Sequence, residues 1–232
     1  MKTALIKNVE VESFEFEEIK GYNGIYHKYI KRVFDVSLAL IFLIILLPVY
    51  LIISLFIIFE TGFPVIYKAE RGGYTGKNFK IYKFRTMVKD ADKIGGGTTA
   101  LNDPRITKVG NFLRKTKMDE ITQLFNIIKG EMSFIGPRPE LVKYTSQYSG
   151  NEEFILKVRP GITDFSSIEF INLDEIVGGD NADEIYEKFV LKKKNQLRIK
   201  YAATVSMKTD VYLFFNTVWR VVQKTIKHIV NK

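Results

Sequence analysis

Between Val33 and Phe59 the chain is almost wholly apolar, interrupted only by Asp35, Ser37 and Ser54, and a proline, Pro48, stands near the middle. As one helix the run would reach about 40 Å, more than the ~30 Å hydrocarbon core of a bilayer. A soluble core helix of that length would carry a polar face, and this run has none, so it reads as membrane-inserted. A cleaved signal peptide does not fit. The upstream tail carries Glu10, Glu12, Glu15, Glu17 and Glu18, and no small-residue cleavage site follows the run. Pro48 removes a backbone donor and collides with the carbonyl of Ile44. The halves on either side measure roughly 15 to 22 Å, and neither crosses a bilayer alone. Lys28, Lys31 and Arg32 precede the run, and Lys68, Arg71 and Lys77 follow it. Basic flanks at both ends place both in the cytoplasm. A helix that enters, breaks at Leu47-Pro48 and returns satisfies these facts. A kinked ordinary span is also admissible, since membrane helices tolerate proline, and the residues alone leave both readings open.

The remaining composition narrows the chemistry. With 232 residues the chain can bury a core of its own. It has no cysteine, which removes disulfide frameworks, zinc ribbons and cysteine nucleophiles. Its two histidines, His27 and His228, lie near opposite ends, a poor start for a histidine metal cage or a Ser-His-Asp triad. A net charge of +9 favours polyanionic partners such as anionic head groups or phosphorylated substrates. Nucleic acid is set aside, because the basic residues are scattered over turns and form no recognition-helix or RNA-binding signature.

Beyond the apolar run, Val65-Ile66-Tyr67 and Phe79 to Phe84 read as two strands joined through Gly72-Gly73-Tyr74-Thr75-Gly76. Gly95-Gly96-Gly97 sits in a polar loop. Met118 to Lys129 reads as an amphipathic helix with Ile121, Leu124, Phe125 and Ile128 on one face, ended by Gly130. Gly136-Pro137-Arg138-Pro139 and Arg159-Pro160-Gly161 are rigid turns, each fixing an arginine. From about Tyr212 the sequence sets Phe215, Trp219, Val222, Ile226 and Ile229 on one helical face, with Arg220, Lys224 and Lys227 off it. That pattern fits a helix lying on a membrane surface, or one docked on the protein core. The expected fold class is α+β: mostly helical, with a short antiparallel hairpin, a re-entrant membrane segment and a C-terminal amphipathic helix. The expected divisions are a tail over 1–29, a membrane helix over 30–60, a cytoplasmic catalytic domain over 61–205 and an interfacial helix over 206–232.

The residues that can carry chemistry are Asp119 and Glu120. Acids in a first helical turn commonly complement the helix dipole, and Thr116-x-x-Asp119 resembles a capping box, so a structural role is open. Their company argues for more. Lys83, Arg85, Arg105, Arg114, Arg138 and Arg159 sit on turns or strand ends, and arginines converging on two carboxylates suit a diphosphate with a divalent cation.

Seven motifs in order carry a resemblance: Lys31-Arg32-Val33-Phe34-Asp35, Tyr82-Lys83-Phe84-Arg85-Thr86-Met87, Asp103-Pro104-Arg105-Ile106-Thr107, Asp119-Glu120-x-x-Gln123-Leu124-x-Asn126, Lys129-Gly130-Glu131-Met132-Ser133, Gly136-Pro137-Arg138-Pro139 and Val158-Arg159-Pro160-Gly161-Ile162-Thr163. Together they resemble the bacterial sugar transferases, the monotopic phosphoglycosyltransferases that initiate glycan assembly on polyprenyl phosphate. The resemblance implies a re-entrant helix broken at Pro48, magnesium, and a covalent phospho-sugar intermediate. It makes Asp119 the nucleophile, Glu120 a catalytic residue and metal ligand, and Lys83, Arg85, Arg105, Arg114, Arg138 and Arg159 phosphate or nucleotide contacts. The implied substrates are a nucleotide (UDP) diphosphate sugar and undecaprenyl phosphate. The implied location is the cytoplasmic face of the inner membrane, with a homodimer left open. Three positions depart from the usual pattern: Ile121-Thr122 stands where Leu-Pro is usual, Asp164 where glycine is usual, and Arg198 where many members carry aspartate. The alternative from another class is a catalytically silent, membrane-anchored module that binds polyanions or a partner.

Overall fold

A computed structural model describes residues 19–94, 99, 103–178 and 181–230, without the side chains of residue 92, residue 225 and residues 227–230. The glutamate-rich tail up to Glu18, the Gly95-Gly96-Gly97 triplet, and the side chains of Lys227 and Ile229 lie outside the described residues.

The apolar run forms two helices, α1 (Lys31–Ile45) and α2 (Leu47–Thr61), with Pro48 in the first turn of the second. Proline is tolerated at that position because the donor it lacks would be unsatisfied there anyway. The segment Tyr26–Ile45 meets Leu47–Thr61 at an angle of 61°. No single helix among the described residues is long and apolar enough to cross a membrane.

Only one stripe of each helix touches the body of the protein. Ala39 of α1 packs with Phe79, Ile81, Leu124, Ile127 and Met132, and Ile53 and Ile57 of α2 pack with Phe84 and Leu113. The other faces leave Val33, Ile41, Ile44, Ile45, Leu51, Ile52, Phe56 and Phe59 exposed.

Polar contacts fix how the pair is seated. Arg32 donates to the carbonyls of Ile127 and Ile128 at 2.6 and 3.0 Å. Glu60 accepts from the amides of Lys108 and Val109 at 2.7 and 3.1 Å. It thereby caps α3 (Lys108–Thr116) jointly with the Thr107 side chain, which accepts from the Gly110 amide. Lys31 forms a buried ion pair with Asp210, tying α1 to the last helix.

The expected hairpin is present: β1 (Ile66–Arg71) pairs antiparallel with β2 (Phe79–Phe84), Ile66 opposite Phe84 and Arg71 opposite Phe79. Because side chains alternate along a strand, Phe79, Ile81 and Lys83 share one face of β2. The apolar pair enters the core, and Lys83 is thereby aimed at the site described below.

The chain also holds a second sheet that the sequence did not announce, a parallel pairing of β3 (Ser133–Ile135) with β4 (Gly161–Thr163). It brings the two rigid proline turns side by side. The Gly161 amide donates to Pro137 O at 3.0 Å, and a Cβ on Gly161 would fall 2.1 Å from the Gly136 nitrogen. Glycine is required at both positions because backbone meets backbone there.

The helix expected over Met118–Lys129 is divided. Met118–Gln123 is a 3-10 turn, followed by α4 (Leu124–Lys129), which Gly130 ends at φ +88°. The expected capping box does not form. Thr116 Oγ1 donates back to the carbonyls of Phe112 and Leu113, and Lys117 between it and Asp119 adopts φ +59°. A left-handed lysine breaks the register that a box needs and starts the tighter turn.

After β4 come α5 (Phe165–Glu169), α6 (Leu173–Val177), α7 (Leu191–Thr204) and α8 (Met207–Val230). Leu213 of α8 is fully buried while Phe215, Trp219, Val222 and Ile226 are exposed, so α8 is docked by one face and presents the expected apolar face outward.

Candidate active site

Asp119 and Glu120 lie at the floor of an open cleft of about 1410 Å³, and they are 5% and 7% exposed. The 3-10 turn holds them next to β2 and the Arg138 turn, and turns adjacent side chains to different partners.

Glu120 is fully engaged. Its Oε1 accepts from Lys83 at 2.8 Å and from Arg138 Nη2, and its Oε2 accepts from Arg138 Nη1 at 3.0 Å. Burial alone would raise its pKa, yet Arg138 and Lys83 outweigh it and hold the carboxyl well below the usual range. Asp119 differs. Its Oδ2 lies 3.9 Å from Lys83, and its buried Oδ1 has no hydrogen-bond partner. Burial raises its pKa, partly opposed by Lys83. One turn therefore carries a clamped carboxylate beside an unclamped, desolvated one.

The six basic residues singled out from sequence separate into two groups. Lys83, Arg114 and Arg138 line the cleft. Arg114 is held by a 2.9 Å bond from Nε to Thr86 Oγ1, and the Arg138 amide donates to Asp164 Oδ2 at 3.3 Å. Arg85, Arg105 and Arg159 are placed elsewhere. Arg85 is buried and donates to Thr61 Oγ1 and to Gly62 O, fastening the end of α2. Arg105 pairs with Asp103 at 2.6 Å and donates to Ala91 O. Arg159 donates to Gly130 O at 3.2 Å and stacks 4.8 Å over Tyr74. Each of these three guanidiniums bonds the backbone or a neighbouring side chain, so of the six expected phosphate or nucleotide contacts the structure brings three together at the cleft.

The departures also find places. Asp164, fully buried, caps α5 by accepting from Ser167 N at 2.7 Å and from the hydroxyls of Ser166 and Ser167. Thr122 is buried with its hydroxyl unpartnered. Arg198 is buried in an ion pair with Glu140 at 2.8 Å. Glu140 and Lys194 also line the cleft and were not anticipated. For Glu140 the signal was its position directly after the rigid Pro139 turn. For Lys194, inside Lys192-Lys193-Lys194, there was none.

Two further features of the cleft bear on what it can hold. Phe42 of α1 and Leu46 at the break between α1 and α2 line it together with Ile81, Leu124 and Phe134, so an apolar wall leads from the helix break to the acidic pair. No group of three or more metal-ligating side chains occurs among the described residues. A magnesium ion commonly uses only one or two carboxylates and takes its other ligands from water and substrate phosphates. Glu120 accepts three hydrogen bonds out of roughly four lone-pair directions, which leaves it room for one such ion.

A model of the bacterial sugar transferases matches residues 26–224. The UDP-glucose:undecaprenyl-phosphate glucose-1-phosphate transferases of Escherichia coli (strain K12) and Klebsiella pneumoniae are 36% and 34% identical over 84% and 94% of this chain. The matches take in 40% and 45% of those proteins. The exopolysaccharide production protein ExoY of Sinorhizobium fredii (strain NBRC 101917 / NGR234) is 39% identical over 57% of this chain and 66% of its own. The chain spans less than two thirds of the length of each of these relatives.

Proposed function

Because the chain belongs to the bacterial sugar transferase family, we propose that it transfers a phospho-sugar from a UDP-sugar to undecaprenyl phosphate in two steps through Asp119. The observation that carries this reading is the Asp119 carboxylate: buried, with Oδ1 unpartnered, on the floor of a cleft walled by Lys83, Arg114 and Arg138.

In the first step Asp119 Oδ1 attacks the phosphorus that bears the sugar. The bond from that phosphorus to the bridging oxygen breaks, and UMP leaves with the electron pair. In the second step an oxygen of the lipid phosphate attacks the same phosphorus and the Asp119 carboxylate leaves, giving undecaprenyl diphosphate sugar. A carboxylate nucleophile divides one hard transfer between two anions into two easier ones. Arg138, Lys83 and Arg114 hold the non-bridging oxygens and offset the charge that gathers on the leaving phosphate. The clamp on Glu120 fixes the turn from which Asp119 projects, and burial denies Asp119 the water that would dull its attack. Glu120 is the residue to hold magnesium, which when bound supplies further neutralisation of the diphosphate.

The lipid acceptor is supported by the apolar wall running from Phe42 and Leu46, and by the exposed apolar faces of α1 and α2. We read the 61° pair as re-entrant, with both basic flanks and the cleft on the cytoplasmic side and the exposed face of α8 against the head groups. Products of this kind initiate polysaccharide assembly.

Incubation with UDP-sugar alone tests the mechanism. The expected result is UMP release of at most one equivalent per site, with a phospho-sugar adduct on the peptide containing Met118-Asp119-Glu120, both lost in Asp119→Asn. Release that strictly requires the lipid, with no adduct, would overturn the covalent reading.

A further inference from the structure

The cleft has an arm that the phosphate chemistry leaves unused. It starts at Arg138, passes Glu140, and ends on Tyr186, Lys194 and Arg198, which are 4%, 7% and 1% exposed. Polar groups this deep are costly unless paired, and most of them are paired. Glu140 accepts from the Tyr186 hydroxyl and from Arg198 Nη2 at 2.8 Å, and Arg198 Nη1 donates to Asn195 Oδ1 at 2.8 Å. Burial opposes ionisation of Glu140, yet Arg198 and Lys194 bring its pKa down to about 2.

Two side chains have donors left over. Lys194 uses one of its three N–H groups on the Tyr186 hydroxyl at 3.2 Å and has no other hydrogen bond among the described residues. Arg198 Nε has none. The Tyr186 ring lies 5.1 Å beneath the Lys194 ammonium and fixes where it points. Burial pushes the Lys194 amine down to about 8, so its charge is under-compensated as the arm stands.

A ligand for this arm must bring acceptor oxygens and must enter beside a phosphate held at Arg138. On a nucleoside diphosphate sugar, the sugar hangs on the phosphorus that Asp119 attacks, so it is the sugar that arrives there. The opposite rim, on α3, is open: Phe112 there is 59% exposed, and Lys108 and Asn111 are exposed beside it. That rim can stack a flat base but encloses nothing. A subsite that discriminates between sugars needs buried groups that are left unpaired by the wrong one, and the Lys194 arm has them.

Resting on the transferase reading above, we propose that this arm is the sugar subsite and that Lys194 donates to a ring hydroxyl or acetamido oxygen and sets which sugar is accepted. A sugar with that oxygen on the other face of the ring leaves the ammonium unpaired and is rejected.

The test uses the full chain in lipid nanodiscs and the variant Lys194→Met. Two quantities are measured: UDP binding by titration, and kcat/KM with undecaprenyl phosphate for the UDP conjugates of glucose, galactose, N-acetylglucosamine and N-acetylgalactosamine. UDP carries no sugar, so its affinity should be unchanged. The kcat/KM of the preferred sugar should fall by about 10- to 100-fold, the span of one charged hydrogen bond, and the ratios among the four should contract. Lys194→Gln, which can still bond Tyr186, replaces the methionine variant should that one not fold. A parallel fall in UDP affinity, or sugar ratios that do not move, would overturn the proposal. A wild-type protein that releases UMP from none of the four would overturn the transferase reading and the subsite with it, a result distinct from any on the variant.

Discussion

Removing one negative charge from each of two neighbouring residues should move the stability of this protein in opposite directions. Glu120 is 7% exposed and accepts three hydrogen bonds from Lys83 and Arg138. Breaking a buried ion pair from one side costs about 3–5 kcal/mol, because the remaining charge stays buried and uncompensated. The side chains of Lys83 and Arg138 are 25% and 26% exposed, so water relieves part of that penalty. Glu120→Gln should therefore cost ~2–3 kcal/mol, which lowers Tm by about 4–12 °C in a chain of this size.

Asp119 has the reverse balance. Its folded pKa is raised by burial, so the ionised form is penalised by folding. The wild-type protein loses that stability as pH rises from the ordinary carboxylate value through the raised one. Asp119→Asn removes the charge and should leave Tm at pH 7 unchanged or raised, by up to about 1 kcal/mol or ~2–4 °C. The gain should vanish as the pH is lowered and the wild-type carboxyl protonates. Thermal unfolding of the ligand-free proteins in one detergent, across a pH series, reads both effects. An Asp119→Asn variant as destabilised as Glu120→Gln would mean that Asp119 belongs to the same ion-pair network, and the division of roles between the two acids would fail.

Other outcomes follow from the same geometry. The acid limb of single-turnover UMP release should lie above the ordinary carboxylate range, because Asp119 must lose its proton before it attacks, and Glu120, which stays ionised far below neutral pH, should add no limb of its own. Arg138→Ala and Arg114→Ala should weaken UDP binding, whereas Arg159→Ala should lower Tm and leave UDP affinity in place, as a titration of each variant would show. Gly161→Ala sets a methyl 2.1 Å from a backbone nitrogen and should destabilise by ~3 kcal/mol, displacing the Arg138 turn with loss of UDP binding and activity. Single cysteines at Lys28 and Lys77, in a chain with no native cysteine, should label from the same side of sealed vesicles, and labelling from opposite sides would mean a true span.

Much of the architecture was legible because it is local. A long apolar run and a proline ring act through their own chemistry, so two apolar helices broken beside Pro48 follow without knowledge of what they pack on. The alternation from Phe79 to Phe84 sets a strand and, by period two, puts Lys83 on the face of Ile81. The adjacent Asp119 and Glu120 were visible as a pair for the same reason, as was the order of motifs around them. The break into a 3-10 turn was not, because it depends on Lys117 adopting a left-handed backbone that its residue type does not favour.

What only the tertiary structure decided is where long side chains end. Arg85, Arg114, Arg138 and Arg159 look alike in their neighbourhoods, each in or beside a turn or an element's end. Two reach the cleft and two are bound to Gly62 O and Gly130 O, because the direction of a guanidinium is set by whichever unsatisfied carbonyl or carboxylate comes within reach after folding. The parallel pairing of Ser133–Ile135 with Gly161–Thr163 joins residues more than twenty positions apart, and no local period encodes it. Lys194 makes the point most sharply. In sequence it is one lysine of three on a polar helix, where a solvated charge is the default. Burial against Tyr186 and Glu140 turns it into a cation with spare donors, since desolvation is a property of what packs around a group and not of the group itself.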